Sequence, residues 1–201
     1  VPACGCTPTA AFIRFGRIDH FMFAPGTVID STSDHLNPLA CIPDVLWASG
    51  GLVLSQIREI TGLETAVIQN WVKRGYVAPP TAKHYSKDQT ARILTINALR
   101  ESLRLDQIAK LISSVNGSLV DSSDDLIPDS ALYEMFCQKV APLYRDNYLS
   151  FEQLGALADA HTASIEHEPA RRQIRNALLL MCVCYQSTLI KRHVESLIAA
   201  L

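Results

Sequence analysis

Residues 52–80 contain two short amphipathic segments separated by Thr-Gly-Leu, and this pattern constrains the fold more than any other part of the chain. Their apolar side chains recur every three or four positions, as expected for helices: Ile57, Ile60, Val67, Ile68 and Trp71. Leu63 follows the glycine and is expected to fill the corner between the two segments. Two short helices joined by such a turn are typical of a helix-turn-helix.

The second predicted helix, about residues 64–74, presents polar side chains on the face opposite its apolar stripe. These side chains are Thr65, Gln69, Asn70 and Lys73, with Arg74 at the helix end. The amides of Gln69 and Asn70 can form paired hydrogen bonds with adenine, whereas basic side chains contact phosphates. The sequence therefore predicts a recognition helix for double-stranded DNA.

The residues that follow carry a resemblance to a known family. The order of elements resembles the MerR-type winged helix-turn-helix over about residues 52–115. The matching points are Ile57, Thr61-Gly62-Leu63, Ile68, Trp71, Gly75, Tyr85-Ser86, Leu103, Leu105 and Ile108. More narrowly, Trp-Val-Lys-Arg-Gly from residue 71 and Pro-Pro before Tyr-Ser resemble a MerR-related bacterial family known only as a domain of unknown function (DUF1836-like), to about residue 140.

The resemblance implies a mainly α fold with a winged helix-turn-helix over residues 43–116 and a short wing at about 76–85. Lys83 in the wing, and Lys87 and Arg92 in the helix after it, are then expected to join Lys73 and Arg74 as phosphate contacts. Tyr85 either donates its hydroxyl to a phosphate or packs under the wing. Ser86 is expected to cap the helix after the wing, in a Ser-x-x-Gln capping box.

Charge is distributed unevenly along the chain. The net charge is −2 overall, but residues 52–112 hold nine Lys and Arg against five Asp and Glu, so this segment is +4 and the remainder −6. A basic module on an acidic chain fits a DNA-binding domain attached to a region that does not bind DNA.

The flanking regions differ in character. Residues 1–42 lack a sustained period and are predicted to form a largely flexible arm, with one short docked segment left open. Residues 117–201 are predicted to be all-helical: Ser130 caps a helix that Pro142 stops, Ser150 opens a capping box, and a long helix begins at about Ala170. That last helix is the predicted homodimer element, because its apolar stripe recurs over most of its length. The open alternative is that the stripe packs only against residues 130–165.

Other chemistries find little support in the sequence. The six cysteines, at 4, 6, 41, 137, 182 and 184, lack zinc-ligand spacing, so no metal or cofactor is predicted. No phosphate-binding glycine loop or nucleophile elbow is present, so a non-enzymatic protein is favoured. No export signal is evident at the start of the chain and no apolar run is long enough to span a bilayer, so we expect a cytoplasmic protein without membrane contact.

The leading hypothesis is a homodimeric, sequence-specific regulator of transcription, with an effector left open. Two alternatives remain at this stage. One is a protein-interaction module on a helix-turn-helix scaffold, and the other is an architectural or excisionase-like DNA-binding protein.

Overall fold

The computed structural model describes residues 23–29, 37–117, 119, 125–145 and 148–201, and these form a mainly helical protein with one small sheet. The α-helices are α1 (Asp44–Ala48), α2 (Leu54–Thr61), α3 (Thr65–Lys73), α4 (Lys87–Leu99), α5 (Leu105–Ser113), α6 (Asp129–Arg145), α7 (Phe151–Thr162) and α8 (Glu168–Ala199). A 3-10 turn at Pro38–Cys41 precedes them, and strands β1 (Leu52–Val53) and β2 (His84–Tyr85) pair antiparallel. The predicted mainly α class is confirmed.

Two helix starts follow from local chemistry that the sequence displays. The hydroxyl of Ser86 accepts a bond from the Gln89 amide at 3.2 Å, and the Gln89 side chain accepts one from the Ser86 amide at 2.8 Å. Ser150 and Gln153 make the same reciprocal pair at 3.2 and 2.7 Å. Each box satisfies two backbone donors that the first helical turn would otherwise leave free, so the predicted helix starts at Ser86 and Ser150 are confirmed. The predicted cap at Ser130 is wrong, because α6 begins at Asp129 and Ser130 lies inside it.

The predicted stop at Pro142 is wrong, because Pro142 lies inside α6, which continues to Arg145. Proline removes one helical hydrogen bond and disturbs the preceding turn. The helix persists because the turn containing the proline is held by packing: Val140 and Leu143 on either side of it are both buried in the core.

Helix α4 lies at the centre of the molecule. Nine of its thirteen residues are buried, on all sides of the helix, and it packs against both α6 and α8. A helix covered all round must have neighbours on every face. One continuous apolar cluster accordingly runs from Leu39 to Tyr185, across the predicted domain boundary at 116/117.

Part of the predicted flexible arm is packed instead. The hydroxyl of Tyr133 donates to the Pro25 carbonyl at 2.7 Å, and the Asn97 amide donates to the Gly26 carbonyl at 2.8 Å. Ala24 and Leu39 are both buried. Residues 23–29 are thus the docked segment that the sequence left open, and residues 37–42 are folded as well. The prediction of flexibility at 1–22 and 30–36 falls outside the described residues.

Helix α8 divides into two parts. Its first two thirds pack on α6 and α7 through a buried stripe of Ile174, Leu178, Met181, Cys182 and Tyr185. Tyr185 meets the ring of Phe136 edge-on at 5.6 Å between centroids. The last third exposes its apolar side chains to solvent. Within the described ranges, none of the helices combines the length and apolar character that crossing a bilayer requires.

Candidate nucleic-acid interface

The corner between α2 and α3 is fixed by three consecutive residues. Gly62 ends α2 with φ of 69°, a left-handed conformation that glycine adopts without strain. The Thr61 hydroxyl donates to the Ile57 carbonyl at 2.7 Å and accepts from the Leu63 amide at 3.2 Å. Leu63 is buried in the corner, as expected from the sequence.

One face of helix α3 is buried in the core and the opposite face is exposed to solvent. Ile68 and Trp71 are buried, which gives Trp71 a packing role. Gln69, Asn70 and Lys73 are exposed, as is Arg74 just after the helix, and Thr65 in its first turn is half-buried. The helix therefore presents two amides and two basic groups from one short exposed surface.

The segment after α3 returns to the sheet beside the start of α2. Strand β2 pairs with β1, with Leu52 opposite Tyr85 and Val53 opposite His84. Just before β2, Thr81 and His84 exchange both backbone hydrogen bonds, at 3.0 and 2.9 Å. The two residues between them, Ala82 and Lys83, have φ of 48° and 68°, as in a two-residue type I′ turn. Lys83 is therefore presented at an exposed turn tip.

Gln89 of α4 anchors this segment. Its side-chain amide donates to the carbonyls of Pro79 at 2.9 Å and Ala78 at 3.3 Å, while its oxygen caps α4. Tyr85 is buried beneath the segment, and burial raises the pKa of its hydroxyl. Of the two roles expected for Tyr85, its burial supports packing.

An open groove forms where α3, β1, the start of α2 and the segment before β2 meet. Its volume is about 600 Å³, and we call it the α3–β2 groove. It is lined by Val53, Leu54, Ser55, Gln69, Val72, Lys73, Pro80, Lys83 and Tyr85. Among these lining residues there are two lysines and no carboxylate. Neither lysine forms an ion pair with any residue that the structure describes.

Two further basic side chains are exposed close in sequence to the groove-lining residues. The Arg74 guanidinium donates to the Tyr76 hydroxyl at 3.0 Å and lies 4.9 Å from the centroid of its ring. This contact holds Arg74 in one orientation while leaving it exposed. Lys87 is exposed in the first turn of α4.

Arg92 does not belong to this surface, contrary to the expectation that it contacts phosphate. Its residue is 7% exposed, and its guanidinium donates to both carboxylate oxygens of Asp129, at 2.6 and 3.3 Å. The side-chain amide of Asn116 donates to the same carboxylate at 2.6 Å. Arg92 thus joins α4 to the start of α6 inside the protein, because the second half of the chain covers this face of α4.

The apolar part of the α3–β2 groove was missed by the sequence analysis. Val53 and Leu54 lie at the start of α2, while Pro80 lies more than twenty residues later, and the pairing of β1 with β2 brings them together. The signal in the sequence is the apolar run Leu-Val-Leu at residues 52–54, which leads into α2 and exceeds what an isolated amphipathic helix needs.

The four cysteines that the structure describes show no arrangement that suggests metal binding. Over the described part of the chain, no three His, Cys, Asp or Glu side chains come together as a metal site. Cys137 and Cys182 are buried, and burial raises the pKa of each thiol to about 12. Cys41 is exposed, whereas Cys4 and Cys6 lie outside the described residues.

Comparison with known proteins gives a family without an assigned activity. The model of the family described as "Domain of unknown function (DUF1836)" matches residues 28–136, more than half of the chain and every residue of the α3–β2 groove. A Bacillus subtilis (strain 168) protein, "Uncharacterized protein YkrK", is 27% identical over 120 residues, covering 57% of this chain and 52% of that protein. The match thus spans about half the length of that relative. No solved structure matches the chain.

Proposed function

The chain belongs to the DUF1836 family, and we propose that it is a sequence-specific double-stranded DNA-binding protein that regulates transcription. In this proposal α2 and α3 form a MerR-like helix-turn-helix, α3 is the recognition helix, and residues 76–85 with β1 form a short wing. The role is non-enzymatic and requires no cofactor. The proposal extends to a homodimer, since one helix-turn-helix alone makes few contacts with an operator.

The observation that carries the proposal is the charge of the α3–β2 groove. Lys73 and Lys83 reach it from two different elements, and no carboxylate lines it. Free lysines on a concave surface without acids favour a polyanion, because phosphate contacts release counterions from the duplex. Arg74, which follows Lys73, and Lys87, two residues after Tyr85, add exposed basic groups close in sequence to the groove-lining residues.

The exposed amides on α3 support sequence reading in addition to phosphate binding. Gln69 and Asn70 point away from the buried face that holds Ile68 and Trp71. A glutamine or asparagine in the major groove pairs with the N6 and N7 positions of adenine. Thr65, half-buried in the first turn of α3, is proposed as a further contact.

The end of α8 supports the homodimer. Ile190, Val194, Leu197 and Ile198 are all exposed and follow one another at steps of four, three and one, which places them on one side of α8. Isolated exposed apolar residues are common, but a stripe of this kind is typical of an interface. Light scattering after size exclusion should give a dimer for the natural chain and a monomer for Val194→Glu with Leu197→Glu. Ser196→Glu adds a charge on another side of α8 and should leave the dimer intact.

DNA binding is tested by fluorescence anisotropy on the duplex upstream of the protein's own gene and on a scrambled duplex, each titrated with salt. We expect tighter binding to the natural sequence, and we expect Gln69→Ala with Asn70→Ala to remove that preference. Equal binding to both duplexes would favour an architectural role. No binding to either duplex at low salt would overturn the proposal.

A further inference from the structure

The α3–β2 groove combines apolar and basic side chains in an unusual way for a solvent-exposed surface. Val53, Leu54, Val72 and Pro80 line it and are each half-buried, so part of their apolar surface faces the groove. Lys73 and Lys83 are exposed around them. Phosphate binding would require only the two lysines. The apolar side chains of the groove are therefore expected to contact an apolar group of the ligand.

The spacing along α3 places the apolar lining beside the reading residues. Gln69, Val72 and Lys73 are three and four residues apart and so share one face of the helix. Any base edge that the Gln69 amide contacts would therefore lie close to the Val72 side chain. Lys73, on the same face, would then contact the neighbouring backbone phosphate.

Only one kind of apolar group is present in the major groove of a duplex. This is the 5-methyl group of a pyrimidine, which thymine carries and cytosine lacks unless it is methylated. An apolar recess beside an adenine-reading amide fits a thymine in particular, because adenine pairs with thymine and each A·T pair brings a methyl group to the same groove.

We infer that the protein reads thymine through its 5-methyl group, which packs in the α3–β2 groove against Val72, next to an adenine held by Gln69. This inference rests on the proposed DNA-binding function and specifies its target as operators with A·T pairs at the position facing Val72. The occupant is thymine; 5-methylcytosine, which carries the same methyl group, is the alternative that the experiment distinguishes.

The test begins with selection from a library of random duplexes by the full chain, followed by anisotropy on the best-bound sequence. Each thymine is then replaced by uracil, which removes the methyl group and leaves every hydrogen-bonding atom in place. Replacement at the position facing Val72 should weaken binding by about three- to fivefold, the amount expected for one buried methyl group. A separate duplex carries a 5-methylcytosine·guanine pair in place of the thymine·adenine pair at that position, and it should bind less tightly than the parent because Gln69 loses its adenine.

Two protein variants assign the effect to the groove. Val72→Ala enlarges the recess and should bind the thymine and uracil duplexes equally. Val67→Ala is the matched control, because Val67 lies on the same helix, is also half-buried and does not line the groove. It should keep the full discrimination. Thermal melts of both variants report whether the fold is retained.

The outcomes separate this inference from the proposed function. Failure of the library to enrich, with no binding at low salt, would overturn DNA binding itself. Enrichment followed by equal binding of thymine and uracil duplexes would overturn the inference and leave DNA binding in place. Tighter binding to 5-methylcytosine would show that the methyl is read without the adenine, and would overturn thymine as the occupant. Equal loss of discrimination in both variants would overturn the role of Val72.

Discussion

Arg92 of α4 and Asp129 of α6 form an ion pair at 2.6 Å whose side chains are 9% and 14% exposed. The two residues lie 37 positions apart, and Asp129 also accepts from the Asn116 amide at 2.6 Å. The Asp129 carboxylate thus joins three segments of the chain, because Arg92 and Asn116 both donate to it. The helix that follows the proposed wing is thereby fixed to the second half of the protein.

Removing the charge of this carboxylate should be strongly destabilising. Asp129→Asn leaves the Arg92 guanidinium buried without a counter-charge, which typically costs about 3–5 kcal/mol of unfolding free energy. The control is Asp106→Asn, since Asp106 pairs with Arg104 on the surface with side chains 64% and 77% exposed, and such pairs contribute under about 1 kcal/mol. Urea unfolding of both variants measures the difference. Equal costs for the two would contradict the structural role assigned to Arg92.

The lysines of the α3–β2 groove should determine the salt dependence of DNA binding. Lys73→Gln with Lys83→Gln removes two proposed phosphate contacts from each protomer, and hence four from the proposed homodimer, so the slope of log affinity against log salt should become shallower by about four. Lys110→Gln is the control, because Lys110 is exposed on α5 and does not line the groove. An unchanged slope in the double variant would show that the α3–β2 groove is not part of the DNA interface.

Two glycines with positive φ should differ in their tolerance of alanine. Gly51 and Gly75 have φ of 107° and 73°, so alanine at either should cost about 1–2 kcal/mol through backbone strain. A Cβ at Gly51 would also overlap the carbonyl oxygen of Tyr85 in β2, whereas one at Gly75 would meet open space. Gly51→Ala should therefore cost about 1–3 kcal/mol more, and it should weaken DNA binding by displacing the wing. Thermal melts together with anisotropy check this, and matching melting temperatures would contradict it.

Lys139 should make stability depend on alkaline pH. The residue is 1% exposed, its ammonium donates to the Leu157 carbonyl at 2.6 Å, and burial lowers its pKa to about 8 from 10.5. Between these two values the unfolded chain binds a proton that the native chain has released, so this group makes stability rise with pH. The gain is fully present only above pH 10.5.

The measurement is denaturant unfolding at pH 7.5 and at higher pH, on the natural chain and on Lys139→Met. Methionine is similar in length and carries no charge, so the variant should be more stable at neutral pH and should lack the part of the pH dependence that Lys139 contributes. The expected difference is of the order of 3 kcal/mol across the window. Parallel pH profiles for the two proteins would show that Lys139 does not titrate in this way.

The sequence was most informative where structure depends on neighbours along the chain. Ser86 with Gln89 and Ser150 with Gln153 begin their helices through contacts that span three residues, and these were predicted. Trp71 was assigned to the core from helical spacing alone, and it is buried. The mainly α class follows from the same local patterns.

Prediction failed where distant segments decide the outcome. Arg92 is hydrophilic by type and becomes internal only because α6 supplies Asp129. Pro142 should end a helix by local rules, and packing of the turn around it overrides those rules. The packed position of residues 23–29 depends on hydrogen bonds to backbone carbonyls. Every residue has a backbone carbonyl, so the residue types do not predict these bonds.

The bond between the Tyr133 hydroxyl and the Pro25 carbonyl joins residues 108 positions apart. During translation Pro25 leaves the ribosomal exit tunnel long before Tyr133 is synthesised. Residues 23–29 therefore cannot dock until α6 has left the ribosomal exit tunnel, and Ala24, which is buried in the folded protein, stays exposed to solvent until then. Residues 23–29 are thus among the last described parts of the chain to reach their native position during biosynthesis, and a translational pause before residue 133 would prolong the exposure of the surface that they cover.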